Sequence, residues 1–170
     1  RQMQGILHGV LEYCGNVSMY GQASDFLSFV KAKEFAGQER ATLNAALANG
    51  VFNARLHKAW LERVALHQEY LQASLKQVLP EVDAVYAAQV PARKEAVERL
   101  RLQVLENVDK PALGVEPKVW FTASTEYINA LRAVETAMSA SLETTARSMA
   151  DTAQRNFYAT LGLAVAAVTA

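Results

Sequence analysis

Two basic residues stand where a helix would bury its side chains. Counting in sevens from Phe26 reaches Lys33, Arg40 and Leu47, which places both cations on a predicted apolar face. Gly37 lies between them and leaves a gap without a side chain. A buried guanidinium is costly unless an anion pairs with it, and a planar oxyanion fits its fork through two hydrogen bonds. The spacing therefore indicates a site for a small anion.

The sequence also offers Arg40 an internal partner. Counting in sevens from Phe121 reaches Ile128 and Glu135, which puts a carboxylate on the apolar face of a later helix. Because buried charges are usually paired, Arg40 and Glu135 could simply bind each other and fix the register of the helices. The chain would then be a structural or dimerising bundle that binds no small molecule. The pattern alone leaves both interpretations open.

Other kinds of site find little support. The single cysteine, Cys14, excludes an intrachain disulfide, and no Cys or His spacing resembles a zinc site. No serine, cysteine or carboxylate has a neighbour that would activate it, so we predict no enzyme, no metal and no cofactor. His67 falls on an apolar stripe and is predicted to be a hydrogen-bonded core histidine.

The charge pattern argues against nucleic-acid binding. The chain has 17 basic and 17 acidic residues, so no overall field attracts a polyanion. The basic residues near the middle of the chain alternate with glutamates, which is typical of a solvated helix face with ion pairs. These basic residues are Arg93, Lys94, Arg99 and Arg101.

The elements that position these residues are all predicted to be helical. Apolar residues recur at spacings of three and four from Met3, past Gly15 and Gly21, to a glycine stop signal at Asn49-Gly50. A second helix begins near Asn53, a good N-cap, and runs until Pro80 interrupts it.

Prolines punctuate the second half of the chain. Pro80 and Pro91 frame a short segment, and Pro91 also suits the first turn of a third helix that ends in a loop over residues 107–116. Pro117 opens the fourth helix, which continues into the C-terminal tail. Four main helices with short connections predict an all-α, antiparallel up-down bundle.

The tail over residues 158–170, YATLGLAVAAVTA, has no charged residue. It is too short to cross a bilayer, which takes about 20 apolar residues. We interpret it as the start of a transmembrane helix, so that residues 1–157 form one helical domain; the alternative is the buried end of a helix.

Two segments carry a family resemblance. Residues 31–52, KAKEFAGQERATLNAALANGVF, and residues 115–135, VEPKVWFTASTEYINALRAVE, resemble the two recognisable segments of the nitrate- and nitrite-sensing (NIT) domain family. The matching positions are Lys33-Glu34, Gly37, Glu39-Arg40-Ala41, Trp120-Phe121, Thr125, Leu131 and Glu135.

The resemblance implies a helical module that binds nitrate or nitrite, with Arg40 as the anion-binding arginine. Lys33, Gly37 and Gln38 are supporting candidates because they lie nearby. Trp120 is a candidate lid, although a tryptophan near a helix start more often packs in the core.

One position departs from the family pattern. Members often carry a basic residue seven positions after the tryptophan, where this chain has Tyr127. Arg132, further along the same helix, is a candidate substitute. A site changed to accept another small anion is the remaining interpretation.

The resemblance also implies a place in a cell. Such domains occur in bacterial chemoreceptors, sensor kinases and cyclic-di-nucleotide enzymes, and in a cytoplasmic antitermination regulator. We therefore predict a sensor domain, homodimeric and attached to the inner membrane, in a signal-transduction or chemotaxis receptor. The predicted location of the domain is periplasmic, with a cytoplasmic location as the alternative. Displacement of its helices would carry the signal.

Overall fold

A computed structural model describes residues 17–76, 78–110 and 112–169 of the chain. Over these residues the fold is all-helical, without a strand, as the sequence predicts. Five helices follow one another within these described residues. They are α1 (Val17–Asn49), α2 (Ala54–Ser74), α3 (Pro80–Gln89), α4 (Pro91–Leu105) and α5 (Pro117–Thr169). The predicted beginning of the first helix, from Met3 to Gly15, lies outside the described residues.

Local chemistry sets the helix ends as expected. Gly50 follows α1 with φ +63°, a left-handed conformation that glycine adopts without steric cost. The side chain of Asn53 then accepts a hydrogen bond of 3.0 Å from the Leu56 N–H and caps α2. Pro91 and Pro117 each begin a helix, where the missing proline N–H would have no partner in any case.

The short segment between two prolines is itself a helix, which the sequence pattern did not predict. Only Val90 separates α3 from α4. The Val90 N–H still donates to the Tyr86 carbonyl at 2.9 Å, and the Val90 carbonyl accepts from the Lys94 N–H at 2.9 Å. Pro91 interrupts the ladder because it has no N–H to donate. A fifth helix therefore joins the four predicted ones.

The first and last helices pack against each other in opposite directions. Gln22 lies beside Thr145 (Oε1 to Oγ1, 3.2 Å), and Arg40 lies beside Thr125 (Nη1 to Oγ1, 2.9 Å). Positions that rise along α1 thus meet positions that fall along α5. Helix α1 also packs on α2, while α5 packs on α3 and α4. The helices α1 and α5 therefore form the central pair of the bundle.

One apolar core joins the helices. Its largest fully buried side chains come from four of them, and burial of each such side chain contributes about 1.5–3 kcal/mol. They include Phe29, Leu43, Trp60, Val97, Val104, Trp120 and Leu131.

The C-terminal part of α5 extends as helix to Thr169. Tyr158 and Leu161 are 61% and 50% exposed, which speaks against a buried helix end at those two positions. In the parts of the chain that are described, no helix has an apolar stretch of the length a membrane crossing requires. The predicted membrane span is therefore not confirmed.

Candidate anion-binding site

A stripe of one face of α1 lies opposite a stripe of α5. Lys33, Gly37 and Arg40 are spaced by four and three residues, so they share one side of α1. Contacts from Lys33 to Glu135 and from Arg40 to Thr125 align this stripe with α5. We call the surface formed by these five residues, Lys33, Gly37, Arg40, Thr125 and Glu135, the α1–α5 groove.

Arg40 is held by the first turns of α5. Its Nη1 donates a hydrogen bond of 2.9 Å to Thr125 Oγ1, and its guanidinium carbon lies 4.9 Å from the centroid of the Phe121 ring. The Trp120 indole N–H donates to the Arg40 backbone carbonyl at 3.0 Å. The Thr125 hydroxyl donates its own hydrogen bond to the Phe121 carbonyl at 2.6 Å, so its oxygen lone pairs can accept from Arg40. The arginine is thus clamped but only half-buried.

The alternative interpretation, a pair between Arg40 and Glu135, is wrong. Glu135 instead forms an ion pair with Lys33, whose side chain is 23% exposed beside the 20% exposed glutamate. None of the ion pairs among the described residues includes Arg40. Its hydrogen-bonding and ring partners are neutral, so its positive charge has no counter-ion within 4 Å among the described residues.

The remaining predicted residues differ in their positions. A Cβ added at Gly37 would meet no atom within 4 Å, so the gap between Lys33 and Arg40 is open. Arg132 is exposed and precedes Glu135 by one helical turn on α5. Gln38 bonds along its own helix, because its Nε2 donates to Glu34 Oε1 at 3.2 Å.

Trp120 is part of the core. Its side chain is fully buried, and its only polar atom already bonds to the Arg40 carbonyl. Trp120 therefore holds the backbone of Arg40 from within the core. The neighbouring Phe121 is 47% exposed, and its ring contacts the Arg40 guanidinium instead.

A second ion pair lies deep between α1 and α4, and the sequence pattern did not predict it. Arg101 is 5% exposed and binds Glu39, 2% exposed, through two hydrogen bonds of 2.8 Å (Nε to Oε1) and 2.6 Å (Nη2 to Oε2). The prediction that Arg101 lies on a solvated face is wrong. Burial alone would lower the pKa of the Arg101 guanidinium, but the hydrogen bonds and charge of Glu39 raise it above its usual value.

Spacing does hint at this pair. Arg101 lies between the buried Val97 and Val104 on one stripe of α4, as Glu39 lies between the buried Ala36 and Leu43 on α1. Because glutamates flank Arg101 in the sequence, the position was predicted to lie on a solvated face despite this spacing.

Comparison with known proteins places the chain in a family. Residues 10–143 match the family described as nitrate and nitrite sensing. The chain belongs to this family. The nitrate regulatory protein of Klebsiella oxytoca is 30% identical over 115 residues, which cover 68% of this chain and 29% of that protein. The chain thus spans under a third of that relative, and no solved structure matches it.

The core of this nitrate- and nitrite-sensing domain contains the predicted histidine. His67 is 1% exposed; its Nδ1 lies 2.8 Å from the Ala32 carbonyl and its Nε2 lies 2.8 Å from the Tyr127 hydroxyl. Because a carbonyl can only accept, Nδ1 carries the proton and the Tyr127 hydroxyl donates to Nε2. Tyr127 is also buried, so the residue that departs from the family pattern belongs to the core rather than to the α1–α5 groove.

The stability of the domain should fall when the pH drops below neutrality. Burial lowers the pKa of His67 below its ordinary value of 6.5. Just below pH 6.5, His67 therefore binds a proton in the unfolded chain but not in the folded chain. Each pH unit below about 6.5 lowers the free energy of unfolding by up to about 1.4 kcal/mol, until His67 of the folded chain is protonated as well. Urea denaturation at pH 7.5, 6.5 and 5.5 measures this loss.

His67→Gln is the matched variant, since it cannot titrate. We expect its free energy of unfolding to change less than that of the unmodified domain between pH 7.5 and 5.5. Equal slopes for the two proteins would contradict the assignment to His67.

Proposed function

We propose that nitrate or nitrite binds in the α1–α5 groove, with Arg40 as the principal cation and Lys33 and Arg132 as assisting cations. The observation that carries the proposal is the half-buried Arg40 guanidinium, whose partners in the described part of the chain, Thr125 and Phe121, are neutral. Membership of the nitrate- and nitrite-sensing family supports the choice of ligand.

The geometry around Arg40 suits a small planar anion. A guanidinium carries five N–H donors, and Thr125 accepts from Nη1 only. The Phe121 ring contacts the guanidinium, and stacking of this kind leaves the donor edge of the group free for a bidentate oxyanion. The open space at Gly37 gives such an anion room beside α1.

Binding at this place would couple the two central helices. Arg40 belongs to α1, whereas Phe121 and Thr125 belong to α5. An anion that draws the guanidinium away from Thr125 favours a different relative position of α1 and α5. A small displacement of packed helices is a common way of passing a binding event to another domain.

We further propose that the domain serves as the sensor of a homodimeric bacterial signal-transduction receptor, of the chemoreceptor or sensor-kinase type. In this proposal the domain is periplasmic and α5 leads toward the inner membrane. The related nitrate regulatory protein supports a regulatory role in general. Fractionation of cells that express the full-length protein tests the location: recovery in the cytosolic fraction would exclude it.

Replacing Arg40 should remove most of the nitrate affinity. Calorimetric titration of the domain with sodium nitrate at constant ionic strength should give a saturable signal. Arg40→Ala should weaken binding about 10- to 100-fold, since a hydrogen bond to a charged group contributes about 1.5–3 kcal/mol.

Arg147→Ala is the control for loss of a positive charge. Arg147 is exposed on α5 and pairs with Glu143 at 2.5 Å, away from the groove. Its replacement should leave the affinity unchanged. No signal from the unmodified domain with either nitrate or nitrite would overturn the proposal.

A further inference from the structure

We infer that Glu135 is an internal competitor of the bound anion and sets the affinity of the groove. The inference rests on the proposed function, because it concerns the same site. A carboxylate is itself a planar oxyanion, and that of Glu135 already occupies the ammonium group of Lys33. The groove thus has one cation, Lys33, paired with a tethered anion, and a second, Arg40, that takes part in none of the ion pairs among the described residues.

The spacing of Lys33 and Arg40 on α1 lets both cations reach the same bound anion, which we call the guest. Lys33 and Arg40 are seven residues apart, which is about 10 Å along a helix at about 1.5 Å per residue. Their long side chains start on either side of the open gap at Gly37. For an anion in this gap to contact both cations, we expect the Lys33 ammonium group to turn from Glu135 toward the gap.

The charges of the groove explain why Glu135 opposes anion binding. Lys33 and Arg40 contribute two positive charges and Glu135 one negative charge, and the exposed Arg132, one turn before Glu135, is the third cation of the proposed site. Glu34, the acidic neighbour of Lys33, is exposed and accepts a hydrogen bond from Gln38 instead. Glu135 therefore opposes the guest in two ways: it holds Lys33, and it repels an anion beside it.

The competition also links affinity to helix contact. When Lys33 binds Glu135, the pair joins α1 to α5 at this level of the bundle. When Lys33 binds the guest, this link is broken. The free energy needed to break the Lys33–Glu135 pair therefore reduces the free energy gained on anion binding. The affinity is lower than it would be if Glu135 carried no charge.

Replacing Glu135 by glutamine should therefore strengthen nitrate binding. Glutamine keeps the size of the side chain and removes its charge. We expect the dissociation constant of Glu135→Gln to fall about three- to tenfold in calorimetric titration with sodium nitrate, a range that corresponds to a partly screened ion pair. A residue needed only for packing or for direct contact would give unchanged or weaker binding.

Two glutamates control for the general loss of a negative charge. Glu34 on α1 and Glu126 on α5 are exposed, and their replacement by glutamine should change the dissociation constant by less than about twofold, because exposed charges are screened by water and salt. If either control tightens binding as much as Glu135→Gln does, the effect is not specific to Glu135.

A double-mutant comparison tests whether the competition acts through Lys33. In a Lys33→Gln background, Glu135→Gln releases no cation and removes only the direct repulsion between Glu135 and the anion, so the gain in affinity should be smaller than in the unmodified domain. A full gain in that background would overturn the competition for Lys33. This comparison also holds if Glu135→Gln lowers the melting temperature, because both proteins of the second pair lack the ion pair.

The inference and the proposed function fail in different ways. If the unmodified domain binds nitrate through Arg40 while Glu135→Gln binds no more tightly, only the competitor role is lost. If neither the unmodified domain nor Glu135→Gln binds nitrate or nitrite, the site itself is wrong.

Discussion

Arg101→Ala is expected to lower the free energy of unfolding by about 3–5 kcal/mol, the usual cost of removing one partner of a buried ion pair. The variant leaves the carboxylate of Glu39, which is 2% exposed, without its two hydrogen bonds. A charge that is buried and unpaired is far less stable there than in water. Urea denaturation followed by circular dichroism at pH 7.5 measures the loss.

The double variant Glu39→Met/Arg101→Leu separates the pair from its parts. Replacing both partners by apolar side chains of similar size leaves no unpaired charge and is often neutral or stabilising. We therefore expect it to recover most of the stability that Arg101→Ala loses. As a matched surface case, Arg147→Ala breaks an exposed pair with Glu143 and should cost at most about 1 kcal/mol. A similar small cost for Arg101→Ala would contradict the buried arrangement.

Local signals predicted the helix boundaries well. A side-chain cap at Asn53, a left-handed glycine at Gly50 and prolines at the starts of α4 and α5 each act through their nearest neighbours. Such effects depend only on a few consecutive residues, so the sequence shows them directly. Helix α3 was missed because its ten residues, between two prolines, are too few to display a helical period.

The charged positions show where sequence reasoning stops. Counting in sevens correctly placed Lys33, Arg40 and Glu135 near the contact between α1 and α5. It could not tell which cation meets the glutamate. That choice depends on how far one helix is shifted along the other, and a shift of two turns, about 10 Å, exchanges one partner for the other. The side-chain pattern repeats after such a shift, so the sequence contains no local record of it.

The buried pair of Glu39 and Arg101 was missed for a related reason. Charged residues usually face water, and Arg101 has several charged neighbours on α4. Its burial is stable only because Glu39 approaches from another helix. Periodicity within α4 marks the position, but the partner that makes it possible is known only from the packing.

Trp120→Ala should lower the free energy of unfolding by about 3–5 kcal/mol, the range for removing a large aromatic side chain from a core. Trp120 is fully buried, and its indole N–H also holds the backbone of α1 at the Arg40 carbonyl. Thermal and urea denaturation both measure this loss. Trp120→Phe, which keeps most of the ring packing, should lose far less stability and should bind nitrate almost as tightly as the unmodified domain.

Phe121→Ala, at the next residue, should weaken nitrate binding while changing the stability little, in contrast to Trp120→Phe and Trp120→Ala. Because Phe121 is 47% exposed, its loss should affect stability little. Its ring lies 4.9 Å from the Arg40 guanidinium, and an exposed cation–π contact of about 0.5–1 kcal/mol corresponds to a two- to fivefold weaker affinity when the ring positions the arginine. Stable folding of Trp120→Ala with complete loss of nitrate binding would instead make Trp120 a lid over the ligand. The two adjacent aromatic residues thus distinguish support of the arginine from within the core from its positioning at the surface.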